Sequence, residues 1–213
     1  MAHALQRIVI GDDPGSWRSA GFSVLDNEMV FGKTVVELAG TANGRGVLGW
    51  AIEGVTSNIE SITSIAPSGT TLAVEERTGL DNTNAVFAID HVVIETGDLD
   101  RTVAAFTEVG MKERRQGQMT TPLGERRQSF LWAGRVIIEI VAPVTADPNV
   151  AMRVWGLALV SANLATTSHV LAENMSEPRD AVQPGRKIAT IDTSALDISV
   201  PLVVMSPHVA ELL

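Results

Sequence analysis

The sequence predicts an α+β protein built from repeated βαβββ modules, with curled, mostly antiparallel sheets and helices on their outer faces. Two observations predict this fold. Short segments in which apolar and polar residues alternate are separated by glycine and proline, as is typical of strands joined by turns. The order strand, helix and three strands also recurs along the 213 residues, which indicates an internally repeated architecture.

The clearest copy of the repeat covers residues 87–145. In its first strand His91 and Glu95 fall on one face, because side chains alternate along a strand. The helix begins after Asp98, whose carboxylate can cap it, and ends at Gly110. Three further strands are predicted over 111–118, 129–132 and 135–141.

A second full copy covers residues 150–213, and its ending VPLVVMSP matches the RVIIEIVAP of the copy before it. Two shorter copies precede these. GKTVVEL aligns with GRVIIEI, and WAIEGVTSNIES, from Trp50, aligns with WGLALVSANLAT, from Trp155. We therefore predict an N-terminal half, 1–86, and a C-terminal half, 87–213. The modules are predicted over 1–43, 44–86, 87–145 and 150–213.

The composition excludes several classes of function. The formal net charge of −9 repels phosphate backbones, and the aromatic content of 4% leaves few side chains for base stacking, so we expect no nucleic-acid partner. The apolar runs are far shorter than the roughly 20 residues of a membrane helix, and the first eleven residues lack the pattern of a signal peptide. We therefore expect a cytoplasmic protein, without a membrane partner, that acts on a small molecule. Because the chain has no cysteine, any metal must be held by His, Asp, Glu, Gln or water.

Paired βαβββ modules of this kind resemble the vicinal oxygen chelate superfamily. The resemblance is carried by IDHVVIETGDLDRTVAAF at 89–106 and RVIIEIVAP at 135–143. The superfamily includes glyoxalase I, extradiol dioxygenases, methylmalonyl-CoA epimerase and the bleomycin-resistance proteins, and the chain is most similar to its uncharacterised glyoxalase-like domain proteins. The resemblance implies a fold in which two modules curl around a cavity, on a scaffold that serves unrelated reactions.

The resemblance also implies positions for metal ligands, on the first and last strands of each module. In the third module these positions hold His91 and Glu139, which suit divalent iron, manganese, nickel or zinc. In the fourth module they hold Gly156 and Val203, which cannot bind a metal. Glu37 occupies the Glu139 position of the first module, so a site of His91, Glu139 and Glu37 would need the first and third modules to face each other.

Two glutamates are also candidates for acid–base catalysis. Glu139 lies in the apolar run VIIEIV, where a buried carboxylate is costly unless it is paired, protonated or bound to metal. The alternative for Glu139 is a salt bridge to one of three arginines. Glu95 shares a strand face with His91 and could serve as a general base, and the alternative for it is an exposed carboxylate at the sheet edge. The three arginines that could form the salt bridge with Glu139 are Arg126, Arg127 and Arg135.

A basic segment, RDAVQPGR at 179–186, is a candidate substrate-binding element. Arg179, Gln183 and Arg186 could hold a substrate carboxylate or phosphate by charge-assisted hydrogen bonds. The alternative is a solvated turn.

Trp50 and Trp155 occupy equivalent positions of two modules. They are expected in the core, and the alternative is that one of them lines a ligand pocket.

Two functions follow as hypotheses. The first is a metal-dependent enzyme of the lyase, isomerase or dioxygenase type, in which the metal acts as a Lewis acid on neighbouring substrate oxygens. The second is a metal-free protein that binds or sequesters a small molecule, as the bleomycin-resistance members do. His91 and Glu139 favour the first, whereas Gly156 and Val203 favour the second. Self-association into a homodimer through exposed sheet edges is compatible with either function.

Overall fold

The N-terminal part of the protein forms a four-stranded sheet. The structure is a computed structural model, and it describes residues 3–65, 82–122 and 124–208. In this sheet the strand order is β2-β3-β1-β4, with β1 parallel to β3 and antiparallel to β4. The elements are β1 (Leu5–Ile10), α1 (Pro14–Ser19), β2 (Glu28–Phe31), β3 (Thr34–Leu38) and β4 (Val47–Ile52).

The C-terminal part forms an eight-stranded sheet from two full βαβββ modules. The first module consists of β5 (Val86–Glu95), α2 (Leu99–Glu108), β6 (Glu113–Thr121), β7 (Gly124–Ala133) and β8 (Val136–Pro143). The second module consists of β9 (Arg153–Ser161), α3 (Leu164–Leu171), β10 (Arg179–Asp180), β11 (Lys187–Ile191) and β12 (Leu202–Met205), with a 3₁₀ turn over Ala172–Asn174. The strand order is β10-β11-β12-β9-β5-β8-β7-β6, so β10 and β6 are the two edges.

Each module of the eight-stranded sheet is wound in the same way. The first strand pairs in parallel with the last, β5 with β8 and β9 with β12. The first strands of the two modules then pair with each other, antiparallel. The helices also begin alike, because the side chains of Asp98 and Asn163 each accept two backbone N–H groups of the first turn. The two modules are therefore copies related across the β5–β9 pair.

The core lies on the helix side of this sheet. Val92, Ile94, Ile138 and Ile140 are fully buried in one cluster with Phe106 of α2, and α2 packs on β7 and β8. Since side chains alternate along a strand, His91 and Glu139 lie on the opposite face. The sheet therefore has an apolar face under the helix and a second face that is free to carry polar groups.

The predicted fold class is confirmed, with curled mixed sheets and repeated modules. The third and fourth modules contain the predicted elements, although the strand expected over 129–132 begins earlier, at Gly124. The first module is βαββ, one strand fewer than in the full repeat. Gly32 and Lys33 form the turn that joins β2 to β3. The second module has β4, followed by turns and isolated bridges up to residue 65. The rest of that module falls partly on residues 66–81, outside the described residues.

The four-stranded sheet ends at Ile52 and the eight-stranded sheet begins at Val86, so the division of the chain into halves at residue 86 stays a prediction. No helix in the described part of the chain is both long and apolar enough to cross a membrane.

Candidate functional site

A β-bulge in β5 brings two neighbouring side chains together. Ile89 pairs with Leu159 and His91 with Ala158, so Asp90 is an extra residue in the β5–β9 ladder. Successive side chains of a regular strand point to opposite faces, and a bulge can redirect one of them. As a result, Oδ2 of Asp90 lies 2.5 Å from Nδ1 of His91. Both side chains are largely buried.

A cation from the other module completes this arrangement. Arg186 is 1% exposed, and its Nη2 lies 2.9 Å from Oδ1 of Asp90. This contact is an ion pair without the alignment of a hydrogen bond, whereas Nε of Arg186 donates to the Ser206 carbonyl at 2.8 Å. The buried Nη1 has no hydrogen-bond partner in the described part of the chain. Burial raises the pKa of Asp90, but the contacts with His91 and Arg186 outweigh it and hold that pKa at about 2.

Glu139 is the second acidic group on this face. It pairs with Val93 in β5 and Phe130 in β7, and its Oε1 accepts a hydrogen bond of 2.5 Å from Nε2 of Gln128. Burial raises the pKa of Glu139, and the nearby His91, Gln128 and Arg115 offset only part of that rise. The surroundings of Glu139 therefore favour its protonated form more than water does.

The predicted alternative for Glu139, a salt bridge to Arg126, Arg127 or Arg135, is not present among the described ion pairs. Arg127 instead binds both carboxylate oxygens of Asp100, at 2.8 and 2.9 Å.

Aromatic side chains border the same face. The guanidinium carbon of Arg115 lies 4.7 Å from the ring centroid of Phe130, a cation–π distance. Phe130 and Trp132 are two residues apart on β7 and so share a face of the sheet. Trp132 is 47% exposed. We call Asp90, His91, Gln128, Glu139 and Arg186 the His91 cluster.

The register of the strands tests whether this fold could hold a metal here. Glu139 pairs with the residue two positions after His91, and Val203 pairs with Ala158, two positions after Gly156. Gly156 and Val203 therefore occupy the places equivalent to His91 and Glu139. A Cβ at residue 156 would lie only 2.7 Å from the Pro201 carbonyl oxygen, so the backbone leaves no room for a ligating side chain.

Glu37 does not join His91 and Glu139 in one cluster. It lies in the four-stranded sheet, where its Oε2 is 2.7 Å from Nη1 of Arg7. Across the described ranges, no group of three or more His, Asp or Glu side chains could hold a metal ion. The described residues thus do not fit a centre with three or four protein ligands, and the expected ligand set of His91, Glu139 and Glu37 is not brought together.

The remaining predicted residues are placed as follows. Glu95 lies at the end of β5 and pairs with Arg153, with 2.6 Å between Oε2 and Nη2, in a partly exposed ion pair. Arg179 is an exposed residue of the short edge strand β10, and the carbonyl of Gln183 accepts the backbone N–H of Arg186. Of the three predicted substrate-binding residues, only Arg186 belongs to the His91 cluster.

Sequence reasoning missed Asp90, Gln128 and Arg115. The adjacent letters DH and the segment ERRQ were visible, but the contact of Asp90 with His91 depends on a bulge opposite β9, which no local pattern predicts.

Known proteins of related shape were found by structure, not by sequence. No protein-family model matches the chain, and no curated protein matches it either. The chain is similar in structure to a xylose isomerase-like TIM barrel/4-hydroxyphenylpyruvate dioxygenase fusion protein, with TM-score 0.54 and 10% identity over 98% of this chain and 50% of that one. At this identity the likeness concerns the fold alone.

Two further structures match this chain with lower TM-scores. Methylmalonyl-CoA epimerase from Mycobacterium tuberculosis has TM-score 0.44 and 16% identity, covering 60% of this chain and 93% of that chain. A glyoxalase I mutant from Zea mays has TM-score 0.41 and 14% identity, covering 98% of this chain and 70% of that chain.

Proposed function

Because this chain has the fold of the vicinal oxygen chelate superfamily, we propose that it is an enzyme that moves a proton on a small organic molecule, with Glu139 as the general base and no multi-ligand metal centre. One observation carries the proposal. A half-buried carboxylate with a raised pKa lies near an imidazole that a second carboxylate holds in place. A carboxylate whose pKa is raised by burial is typical of groups that exchange protons in catalysis.

The geometry assigns a part to each side chain. The contact with Asp90 makes Nδ1 of His91 the donor to that carboxylate, which leaves Nε2 as the ring nitrogen available to a substrate hydroxyl. The Glu139 carboxylate takes a proton from a carbon next to a carbonyl group, and the electron pair moves to the carbonyl oxygen. Arg115 supplies the positive charge that stabilises this enolate.

The surroundings of the cluster support our proposal for the class of substrate. Phe130 and Trp132 offer apolar surface beside Glu139, and Arg115 offers a cation on a protein that is otherwise acidic. We infer a small oxygen-rich molecule with an acidic C–H group and an apolar part, which corresponds to isomerase or lyase chemistry. Arg186 acts on this site through Asp90, because its positive charge keeps the Asp90 carboxylate ionised.

The first experiment measures proton transfer directly. A panel of 2-oxoacids, 3-oxoacids and hydroxyketones is incubated with the protein in D₂O, and deuterium incorporation next to the carbonyl is followed by NMR. We expect exchange with at least one member, reduced about 100-fold or more by Glu139→Gln, as is usual when a general base is lost. Glu108→Gln, an exposed glutamate of α2, is the matched control. Equal exchange rates in wild type and Glu139→Gln would contradict the proposal.

The metal-dependent alternative is tested separately. The untagged protein is incubated with iron, manganese, nickel or zinc, and bound metal is determined by elemental analysis. We expect no bound metal that depends on His91 or Glu139. Near-stoichiometric metal that is lost in both His91→Ala and Glu139→Ala would replace our mechanism by the lyase, isomerase or dioxygenase chemistry of a chelated substrate.

A binding protein without catalysis is the second candidate function. The apolar pair Gly156 and Val203 favours it, because half of the ligand-bearing positions of the fold carry no polar group. It predicts that a molecule of the same panel binds saturably, shows no deuterium exchange, and binds equally well to wild type and Glu139→Gln.

A further inference from the structure

A cavity of about 580 Å³ lies where the two sheets meet, and it shares no residue with the His91 cluster. Its lining comes from both halves of the chain. Val47 and Leu48 of β4 form one side, and residues 151–155, at the start of β9, form the other together with Pro201. Cavities of this size at such junctions are common sites for small ligands.

Hydrogen bonds between the two halves hold the walls of this junction cavity. The Ser61 hydroxyl donates to the Met152 carbonyl, and the backbone N–H of Gly46 donates to the Ser199 hydroxyl at 2.7 Å. The four residues all line the cavity. The space is therefore bounded by fixed contacts, so a ligand would not have to create it on binding.

Trp155 lies on this cavity and is unusually open for its type. It is 42% exposed, whereas Trp50, which the alignment of the sequence repeats matches to it, is fully buried. The expected core position is therefore correct for Trp50 and wrong for Trp155. An exposed indole beside a cavity offers a flat apolar surface on which a ring can stack.

The charged side chains among the described lining residues are two arginines, Arg45 and Arg153. Each is paired with carboxylates that do not line the cavity, and Nε of Arg45 lies 3.5 Å from Oδ1 of the buried Asp12. Nη2 of Arg45 is 2.9 Å from Oδ1 of Asp197, and Nη2 of Arg153 is 2.6 Å from Oε2 of Glu95. Both guanidinium groups are thereby positioned, and each retains further N–H donors for an anion.

We propose that the junction cavity is a second ligand site, which binds a flat organic anion by stacking its ring on Trp155 and pairing its acidic group with Arg45 and Arg153. Aromatic carboxylates and sulfonates are the matching class. This site rests on the cavity and its lining alone, so it is independent of proton transfer at Glu139.

The test uses two fluorescent probes of similar shape, the anion 8-anilinonaphthalene-1-sulfonate and the neutral N-phenyl-1-naphthylamine. Each is titrated into the wild-type protein and the variants. We expect saturable binding of the sulfonate at one site, weakened about tenfold or more by Trp155→Ala and by Arg45→Gln or Arg153→Gln, as loss of a charged hydrogen bond or a stacked ring would give. The neutral probe should respond to Trp155→Ala but not to the arginine variants. Trp155→Phe should keep most of the affinity, because it keeps a ring.

Matched control variants show whether the sulfonate binds in the junction cavity or elsewhere. Arg114→Gln changes an exposed arginine of β6, remote in sequence from the cavity lining, and should leave binding unchanged. Glu139→Gln should also leave it unchanged, which separates this site from the proposed catalytic site. The proposal is overturned if the sulfonate does not bind saturably, if Trp132→Ala abolishes binding while Trp155→Ala does not, or if the arginine variants bind the sulfonate as tightly as the wild type.

Discussion

The strand pairs β1–β3 and β5–β8 are two versions of one arrangement. In the first, Glu37 pairs with Val9, two residues after Arg7, and in the second Glu139 pairs with Val93, two residues after His91. Arg7 binds Glu37 and Glu28 at 2.7 Å each, whereas Glu139 accepts a hydrogen bond from the neutral amide of Gln128.

The two glutamates differ in what surrounds them. At the same position of the repeat, the charge of Arg7 ties Glu37 into a structural ion pair, whereas burial raises the pKa of Glu139 and His91, Gln128 and Arg115 offset only part of that rise. The pair Gly156 and Val203 is a third version, without polar groups. The repeat therefore conserves geometry while the chemistry at its two central positions changes from module to module.

The largest effect is expected where the structural version is broken. Arg7→Met should lower the free energy of unfolding by about 3 kcal/mol or more, because Arg7 is buried and its ion pairs with Glu28 and Glu37 would both be lost. Lys33→Met, at an exposed residue in the adjacent turn, is the control and should cost less than about 0.5 kcal/mol. Urea unfolding of both variants decides; similar losses would mean that the ion pair of Arg7 is not structural.

The apolar version is tested at its glycine. Gly156→Ala should cost about 2–3 kcal/mol, because the new Cβ would meet the Pro201 carbonyl oxygen at 2.7 Å and strain the hydrogen bond from Leu157 to that oxygen. In Gly117→Ala the nearest atom is Oε1 of Gln128 at 3.5 Å, an ordinary contact, so stability should change little. Urea unfolding of the two variants compares them, and a Gly156→Ala protein as stable as the wild type would show that the fourth module could accept a ligand there.

The version with His91 and Glu139 has its own electrostatic signature, first at Asp90. Its folded pKa of about 2 lies below the ordinary 3.8, so its contribution to stability is present above pH 4 and is lost as the pH falls towards 2. A difference of this size corresponds to about 2 kcal/mol. Unfolding measured from pH 5 to pH 2 should therefore show a loss in the wild type that is smaller in Asp90→Asn. Parallel curves would argue against the ion pair with Arg186.

Glu139 should give a smaller effect of opposite sign. Its folded pKa is raised above the ordinary 4.5, so its contribution is full below pH 4.5 and is lost as the pH rises through the folded pKa. Glu139→Gln removes this dependence, and the variant should gain stability relative to the wild type between pH 4.5 and pH 8. A constant difference over that interval would place Glu139 among ordinary, unperturbed carboxylates.

Much of this could be predicted from periodicity. Alternation of apolar residues located β5 and β8, because strand geometry has a fixed period. The resemblance to the vicinal oxygen chelate superfamily implied that His91 and Glu139 act together, and alignment of the repeats gave Gly156 and Val203 as their equivalents, in agreement with the observed register.

The partners of these residues could not be predicted, since they come from distant segments. VVEL and IIEI read alike, yet Glu37 meets Arg7 on the neighbouring strand whereas Glu139 meets Gln128. Arg186 lies almost one hundred residues after the Asp90 that it neutralises. Pairing of this kind depends on how sheets assemble, which local sequence does not encode.

The order of strands also bears on how the protein avoids fibrils. An open eight-stranded sheet leaves backbone N–H and C=O groups unpaired along β6 and β10, and such rows can template strands from other molecules. Here β10 is only two residues long, and β6 begins Glu113, Arg114, Arg115 with its side chains exposed. The edge strand β10 is too short to pair with a strand of another molecule, and the edge strand β6 carries exposed charges. Both edges of the eight-stranded sheet therefore disfavour the edge-to-edge pairing that leads to fibrils.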